Sequence, residues 1–206
     1  MAGQNGQQDR TGSSGTDYDM ASLIISARAG DRVAFGQVVD QFYETIFRMV
    51  YFRIRSRMDA EDLTQDIFIK AFKNLSRLKE IERFRAWLFR IAVNRINDFH
   101  RKRRIMAIFK DTEENPEDDP KRSEFKGDQD PLDHATRREF WEKVKSFSQN
   151  LSAWEREVFF LRFMDHLSIK EISQVLNRSE STIKTYLYRG LKKFRADSTL
   201  LQILRG

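Results

Sequence analysis

Residues 168–194 read SIKEISQVLNRSESTIKTYLYRGLKKF, and this stretch decides the fold of the C-terminal part of the chain. Residues 168–176 have the apolar spacing of a short amphipathic helix, and residues 177–179 form a polar turn. Ser179 or Ser181 can cap a second helix, because a serine oxygen accepts a hydrogen bond from a free N–H in the first turn. The spacing therefore predicts a helix-turn-helix. The buried stripe of the second helix comprises Ile183, Leu187, Leu191 and Phe194.

The outward face of the second helix carries side chains of the types that contact DNA. Lys and Arg can read guanine, and Thr offers a hydroxyl or a methyl contact. Hydroxyls at a helix N-terminus suit phosphate contacts. A helical hairpin with a solvated basic face is the alternative, but seven basic and two acidic residues at 168–195 favour DNA binding. The outward side chains are Lys184, Thr185, Tyr188 and Arg189.

The distribution of charge divides the chain into four segments. The net charge of the 206 residues is +6, but it is −2 over residues 1–20, +9 over 21–110, −7 over 111–133 and +6 over 134–206. Basic segments favour polyanionic partners. The acidic segment holds all three prolines, and its like charges repel, so it predicts an extended, flexible linker. The first segment has almost nothing to bury and predicts a disordered extension.

The apolar residues outside the helix-turn-helix also follow helical spacing. Steps of three and four recur along both basic segments, and the signals of β-hairpins are missing. Asp31 can cap a helix that runs towards Val50, and Asp59 can cap the next one. The predicted fold class is therefore all-α, with two small helical domains at 21–110 and 134–206 joined by the linker.

Several classes of function are excluded by composition. The chain has no cysteine, so disulfides, cysteine-ligated metals and thiol catalysis are absent. Its three histidines lie at no metal-binding spacing, so we expect no metal site and no cofactor. No apolar run approaches the ~20 residues that a membrane span needs, and the N-terminus lacks the pattern of a signal peptide. A soluble, cytoplasmic protein is expected.

The N-terminal basic segment contains two further patterns. Residues 59–66 open a helix with four carboxylates, which the helix dipole favours there. Residues 84–100 interleave aromatic, basic and amide side chains, and residues 101–104 read RKRR. Aromatic rings beside cations suit single-stranded nucleic acid, because bases stack on the rings while the charges hold the backbone.

Together these patterns resemble one family, the extracytoplasmic-function (ECF) sigma factors, which are the smallest sigma subunits of bacterial RNA polymerase. The resemblance spans about residues 23–195. It implies that a sigma region 2-like domain binds core polymerase and the promoter −10 element, and that a region 4-like domain binds the −35 element. The motifs are DAEDLTQD at 59–66, WLxxIAxN at 87–94 with Asp98 and Arg101, EISxxL at 171–176 and STIK at 181–184.

The resemblance also implies three sets of contact residues. The clamp of the polymerase β′ subunit would contact Asp59, Glu61, Asp62, Gln65 and Asp66. A flipped −10 base and its strand would contact Phe84, Trp87, Arg90, Asn94, Arg95, Asn97, Arg101 and Arg104. The −35 element would contact Arg178, Ser179, Ser181, Thr182, Lys184, Thr185, Tyr188, Arg189 and Lys192. Asn177 stands where many members have glycine, and asparagine tolerates the left-handed backbone of such a turn.

The family implies a transcription factor and not an enzyme. Its partners would be the β′ and β subunits of core polymerase, promoter DNA and an anti-sigma factor, which in this family is often membrane-anchored; no small-molecule substrate is implied. A conventional helix-turn-helix regulator that binds duplex DNA alone explains only the C-terminal half. A magnesium-dependent nuclease could use Asp59, Glu61, Asp62 and Asp66, but no base, nucleophile or lysine accompanies them.

Overall fold

The computed structural model describes residues 19–109, 142–144 and 146–197, and within these ranges the secondary structure is helical, without strands. The all-α prediction is therefore confirmed. The linker at 111–133 and residues 1–18 of the predicted extension lie outside the described residues. Helical backbone at 142–144 and 146–149 precedes α5. The helices are α1 (Met20–Arg28), α2 (Arg32–Ile54), α3 (Arg57–Asn74), α4 (Phe84–Phe109), α5 (Ala153–Phe163), α6 (Ile169–Leu176) and α7 (Glu180–Ala196), with 3-10 turns at Leu75–Arg77 and Ile81–Arg83.

Polar side chains set where the N-terminal helices begin. Asp31 caps α2 as predicted, because its carboxylate accepts hydrogen bonds from the backbone N–H groups of Val33 at 2.8 Å and Ala34 at 3.1 Å. The prediction that Asp59 caps α3 is wrong. The N-cap is Ser56, whose hydroxyl accepts from the N–H of Asp59, so α3 begins three residues earlier than predicted.

Helices α1 to α4, which we call the N-terminal unit, pack around one apolar core. Helix α2 contacts α1, α3 and α4, and α3 contacts α4. Val38, Ile46 and Val50 on α2 face Ile67 on α3 and Leu88 on α4, and all five are fully buried. Burial of each such side chain contributes roughly 1.5–3 kcal/mol. This core fixes the outer faces of α3 and α4, which carry the candidate contacts.

Residues 142–144 and 146–197, which we call the C-terminal unit, contain the predicted helix-turn-helix. Ser168 and Glu171 form a capping box at the start of α6, and Ser179 caps α7. Between these helices Asn177 adopts the left-handed conformation, with φ of 51°. Ile183 is fully buried on α7. The geometry of the turn therefore confirms the sequence-based prediction in its caps, its turn residue and the first residue of its buried stripe, while Leu187, Leu191 and Phe194 are partly buried.

The two units pack directly against each other, which the sequence does not predict. Helix α4 of the N-terminal unit lies against α6 of the C-terminal unit. Leu161, Ile172 and Val175 belong to the same buried apolar cluster as Leu88 and Ala92 of α4. We call this the docked arrangement. In the part of the chain that the structure describes, no helix is both long and apolar enough to cross a membrane.

Candidate protein and nucleic-acid interfaces

The outer face of α3 combines exposed polar and apolar side chains. Asp62 and Gln65 are exposed near the middle of this face, which agrees with their predicted role. Met58 and Ile69 flank them and are 71% and 52% exposed. Positions 58, 62, 65 and 69 are separated by steps of four, three and four, so they share one side of the helix. The sequence analysis missed the two apolar members, although this spacing was sufficient to find them.

Three further acidic candidates on α3 differ in their surroundings. Asp59 and Glu61 are partly buried, and Glu61 forms an ion pair with Arg57 at 2.8 Å. Asp66 forms an ion pair with Arg95 of α4. The sequence assigned Asp66 to the polymerase and Arg95 to DNA, but the structure brings these two side chains together. Each side chain therefore neutralises the charge of the other, although the two were expected to face separate partners, the polymerase and DNA.

The start of α4 corrects one candidate DNA contact. Phe84 is only 2% exposed, and its ring packs against Phe42 and Trp87 at centroid distances of 5.5 and 5.8 Å. It is therefore a core residue and cannot stack on a base in this arrangement. Trp87 is partly buried and remains accessible at the edge of a cleft. The physical reason for the burial of Phe84 is that it shares the inner face of α4 with Leu88 and Ile91, which are also buried.

The remaining candidate DNA contacts lie along α4, between its first turns and its exposed C-terminal end. Arg90, Asn94 and Asn97 are exposed and line a groove of about 300 Å³, whose opposite wall includes Trp154 and Leu176 of the C-terminal unit. The docked arrangement thus places the C-terminal unit over the predicted −10 reader. Further along the exposed end of α4 lie Arg101, which pairs with Asp98 at 3.0 Å, and Arg104.

The predicted −35 residues form one surface at the start of α7. The hydroxyl oxygen of Ser179 lies 2.9 Å from that of Ser181 and 2.8 Å from that of Thr182. The hydroxyl of Thr185 donates to the backbone oxygen of Ser181 at 3.0 Å, which leaves its lone pairs free to accept. Thr182 is partly buried. The exposed members of the set are Arg178, Ser179, Ser181, Lys184, Thr185, Tyr188, Arg189 and Lys192.

An aromatic residue that the sequence analysis missed supports this surface. Trp154, at the start of α5, stacks on Tyr186 of α7 with a centroid distance of 6.2 Å. The guanidinium of Arg178 lies over the Trp154 ring at 4.9 Å. A cation over an indole face gains electrostatic attraction, so the Trp154 ring positions Arg178 beside the turn.

Buried charges hold the two units together. Arg53 of α2 donates hydrogen bonds to Asp165 at 2.7 Å and to Glu157 at 3.4 Å, and the side chains of Arg53 and Asp165 are only 6% and 5% exposed. Burial lowers the pKa of Arg53, but the two carboxylates outweigh burial and raise it above its usual value. Arg53 is therefore charged in the docked arrangement.

A second ion pair links α4 of the N-terminal unit to α6 of the C-terminal unit. Arg85 of α4 donates to Glu171 at 2.8 Å and to the backbone oxygen of Asp165 at 3.2 Å. Burial raises the pKa of Glu171, but hydrogen bonds from Ser168 and Arg85 outweigh it and hold the pKa below its usual value. Among the described residues, no group of three or more His, Asp or Glu side chains is arranged to hold a metal ion.

Comparisons with known proteins agree with this geometry. The family model for sigma-70 region 2 matches residues 38–105, and the model for sigma-70 region 4 matches residues 143–194. Together these two matches cover more than half of the chain. The chain belongs to the sigma-70 family. Region 2 thus falls on helices α2 to α4, and region 4 falls on the C-terminal unit.

The resemblance to ECF sigma factors is confirmed by two relatives. The ECF sigma factor BldN of Streptomyces coelicolor is 29% identical over 182 residues, which are 84% of this chain but only 63% of that protein's length. SigW of Bacillus subtilis is 29% identical over 173 residues, which are 84% of this chain and 92% of SigW. The structure of CnrH in complex with the cytosolic domain of CnrY is similar with a TM-score of 0.63 at 26% identity, covering 87% of this chain and 100% of CnrH.

Proposed function

We propose that this sigma-70 family member binds core RNA polymerase and directs promoter-specific initiation of transcription. Residues 21–110 act as the region 2 domain, which reads and melts the −10 element. Residues 134–206 act as the region 4 domain, which binds the −35 element, and the acidic segment at 111–133 links them. The observation that carries this proposal is the placement of the two family regions on two helical units that each present a basic surface.

The exposed face of α3 is the proposed contact with the polymerase β′ subunit. Asp62 and Gln65 supply charged and hydrogen-bonding groups, while Met58 and Ile69 supply apolar area on either side of them. Protein interfaces combine apolar side chains with hydrogen-bonding groups, and basic and amide groups of a partner helix would complement Asp62 and Gln65. Asp66 contributes through its pair with Arg95, which fixes α3 against α4.

The proposed promoter contacts lie on α4 and α7. On α4, Trp87 offers an aromatic face to an unstacked base, and Arg90, Asn94 and Asn97 offer contacts to the strand. Phe84 acts as a positioning residue, because it packs behind Trp87. On α7 the exposed hydroxyl and basic side chains would contact the phosphates and base edges of the −35 duplex.

Control by an anti-sigma factor in the cytoplasm completes the proposal. The similar CnrH structure is a complex with the cytosolic domain of CnrY, which supports a partner of that kind for this chain. A partner that covers the faces of α3 and α4 would compete directly with polymerase and promoter DNA. No catalytic step is proposed for this chain itself, because initiation chemistry takes place in the polymerase.

The deciding experiment is transcription of fragmented genomic DNA by bacterial core polymerase with and without this protein, with sequencing of the RNA 5′ ends. We expect discrete starts that appear only with the protein and share two upstream elements. Asp62→Arg should abolish these starts and core binding, because it reverses the charge at the centre of the α3 face. Asp40→Arg is the matched control, since Asp40 is an exposed carboxylate of α2 outside that face.

Two outcomes would contradict the proposal. If Asp62→Arg binds core as well as the Asp40→Arg control does, the α3 face is not the polymerase contact. If a matched core gives no new starts while the free protein binds a specific duplex tightly, the chain is a conventional regulator. The sigma role predicts weak, salt-sensitive DNA binding in the absence of core polymerase.

A further inference from the structure

A cleft of about 690 Å³ opens between the two units, where the chain enters α4 on one side and turns from α6 to α7 on the other. Its volume lies within the range of roughly 300–1,000 Å³ that is usual for small-molecule sites. The floor includes Leu78 and Ala86, and the rim is polar. The cleft adjoins the groove that Asn94 and Asn97 line, and Arg90 and Asn177 line both.

The cleft is strongly cationic. Its walls include Arg77, Lys79 and Arg90 from the N-terminal unit and Arg178 from the C-terminal unit, and none of these four forms an ion pair with another described residue. Arg83 also lines the cleft but pairs with Glu80, the one acidic residue among the lining residues that the structure describes. Cations of the same sign that share a cleft repel each other, and a multivalent anion relieves that repulsion.

Other lining groups suit an anion that carries several oxygens. Asn177 and Gln174 present amides, and Ser179 presents a hydroxyl at the N-terminus of α7. The N-terminus of a helix attracts anions through its free N–H groups and its dipole. Ser173 donates to the backbone oxygen of Arg178 at 2.6 Å, which holds this part of the turn in place. Trp87 adds one aromatic ring at the edge of the cleft.

We propose that this cleft binds a compact oligophosphate, either inorganic or carried by a nucleotide, that bridges the two units. The four unpaired cations come from both units, so a ligand with three or four negative charges contacts both of them at once. By bridging them, the ligand stabilises the docked arrangement. Because Arg90 and Arg178 are also proposed promoter contacts, the oligophosphate and promoter DNA compete for the same side chains.

Calorimetric titration of the full chain tests the proposal without polymerase or DNA, so the result is independent of the proposed sigma role. The probes are inorganic tripolyphosphate and, separately, ATP. We expect one-to-one binding of tripolyphosphate. The double variant Arg77→Gln/Lys79→Gln and the single variant Arg178→Gln should each weaken it about tenfold, since each loses charge-assisted contacts from one wall.

The matched control is Arg32→Gln/Lys73→Gln, which removes two exposed charges outside the cleft. This variant should change the affinity for tripolyphosphate by no more than about twofold, because salt screens the effect of net charge from surface groups outside the cleft. If the control and the cleft variants lose affinity equally, or several anions bind per chain, the binding is general electrostatic attraction and the proposal is overturned. If Arg178→Gln has no effect, the ligand does not bridge the units and the proposal is also overturned.

The two probes distinguish the sources of the oligophosphate. The cleft is assigned to a nucleotide if ATP binds more tightly than tripolyphosphate and if Trp87→Leu removes this advantage of ATP while the affinity for tripolyphosphate is retained. Equal or weaker binding of ATP with intact tripolyphosphate binding assigns it to an inorganic oligophosphate. Failure of both probes to bind the wild-type chain at low salt would refute the site altogether.

Discussion

Removing the charge of Asp165 should open the junction between the two units. In the docked arrangement Asp165 accepts from Arg53 at 2.7 Å, and both side chains are at most 6% exposed. Asp165→Asn keeps the shape and an acceptor oxygen but leaves the buried guanidinium with a single carboxylate partner, Glu157 at 3.4 Å. A hydrogen bond to a charged group contributes about 1.5–3 kcal/mol. Since about 1.4 kcal/mol is tenfold in an equilibrium constant, the ratio of docked to undocked chains should fall about tenfold to a hundredfold.

The absence of cysteine makes this equilibrium directly measurable. Cysteines introduced at Gln37 on α2 and Lys170 on α6, both exposed, accept a pair of probes for distance measurement by single-molecule fluorescence or pulsed electron resonance. The wild-type chain should show one narrow distribution of short distances between the two probes. Asp165→Asn should add a broad, longer population, because separation lets water solvate Arg53.

Two further variants make the test strict. Replacing both charges, as in Arg53→Met/Asp165→Leu, should restore the short distance, since the two buried charges are removed together and Glu157, whose side chain is 23% exposed, can be solvated. Glu44→Gln disrupts an exposed ion pair with Arg48 and should leave the distances unchanged, because such pairs contribute little. An unaltered distance distribution in Asp165→Asn would show that the buried ion pair does not determine docking.

Three other variants probe the helix-turn-helix and the second ion pair. Ile183→Ala should lower the free energy of unfolding in urea by about 2–5 kcal/mol, since Ile183 is fully buried, whereas Tyr188→Ala, at a side chain 68% exposed, should stay within about 0.5 kcal/mol. Asn177→Val should cost about 1–2 kcal/mol in the same assay and Asn177→Gly almost nothing, because φ is 51° there. The pKa of Glu171 is lowered in the folded protein, so its contribution to stability is complete above the usual pKa of 4.5 and is lost as the pH falls through the lower folded pKa. In a plot of melting temperature against pH, Glu171→Gln should therefore reduce the decline on the acid side.

Local chemistry explains what the sequence could predict. The helix-turn-helix depends on caps and on a turn residue, each of which contacts groups within four residues of itself. A pattern such as Ser168 followed by Glu171 is therefore sufficient to predict the start of a helix. The outward face of α7 follows from helical periodicity once the position of Ile183 is known. The wrong cap of α3 has a local cause as well, because Ser56 lies three residues before Asp59 and competes with it.

Long-range pairing explains what the sequence could not predict. Arg53 and Asp165 lie 112 positions apart, and neither has neighbours that signal a buried partner. Asp66 and Arg95 belong to separate helices whose relative rotation is set by the core, so their ion pair follows only from the packed structure. The family resemblance implies a DNA contact for Phe84, but the rotation of α4 places its ring in the core.

The chemistry of the junction agrees with a chain that must open to act. On the proposed promoter role, a DNA strand on Asn94 and Asn97 requires the groove that Trp154 and Leu176 now line, so the docked form is not competent to bind it. The apparent affinity for the −10 element then falls in proportion to the undocked fraction. A buried ion pair suits such an interface, because opening hydrates both charges and recovers much of what desolvation cost. We therefore expect the Arg53–Asp165 pair to specify how the units dock while leaving the docked form able to open.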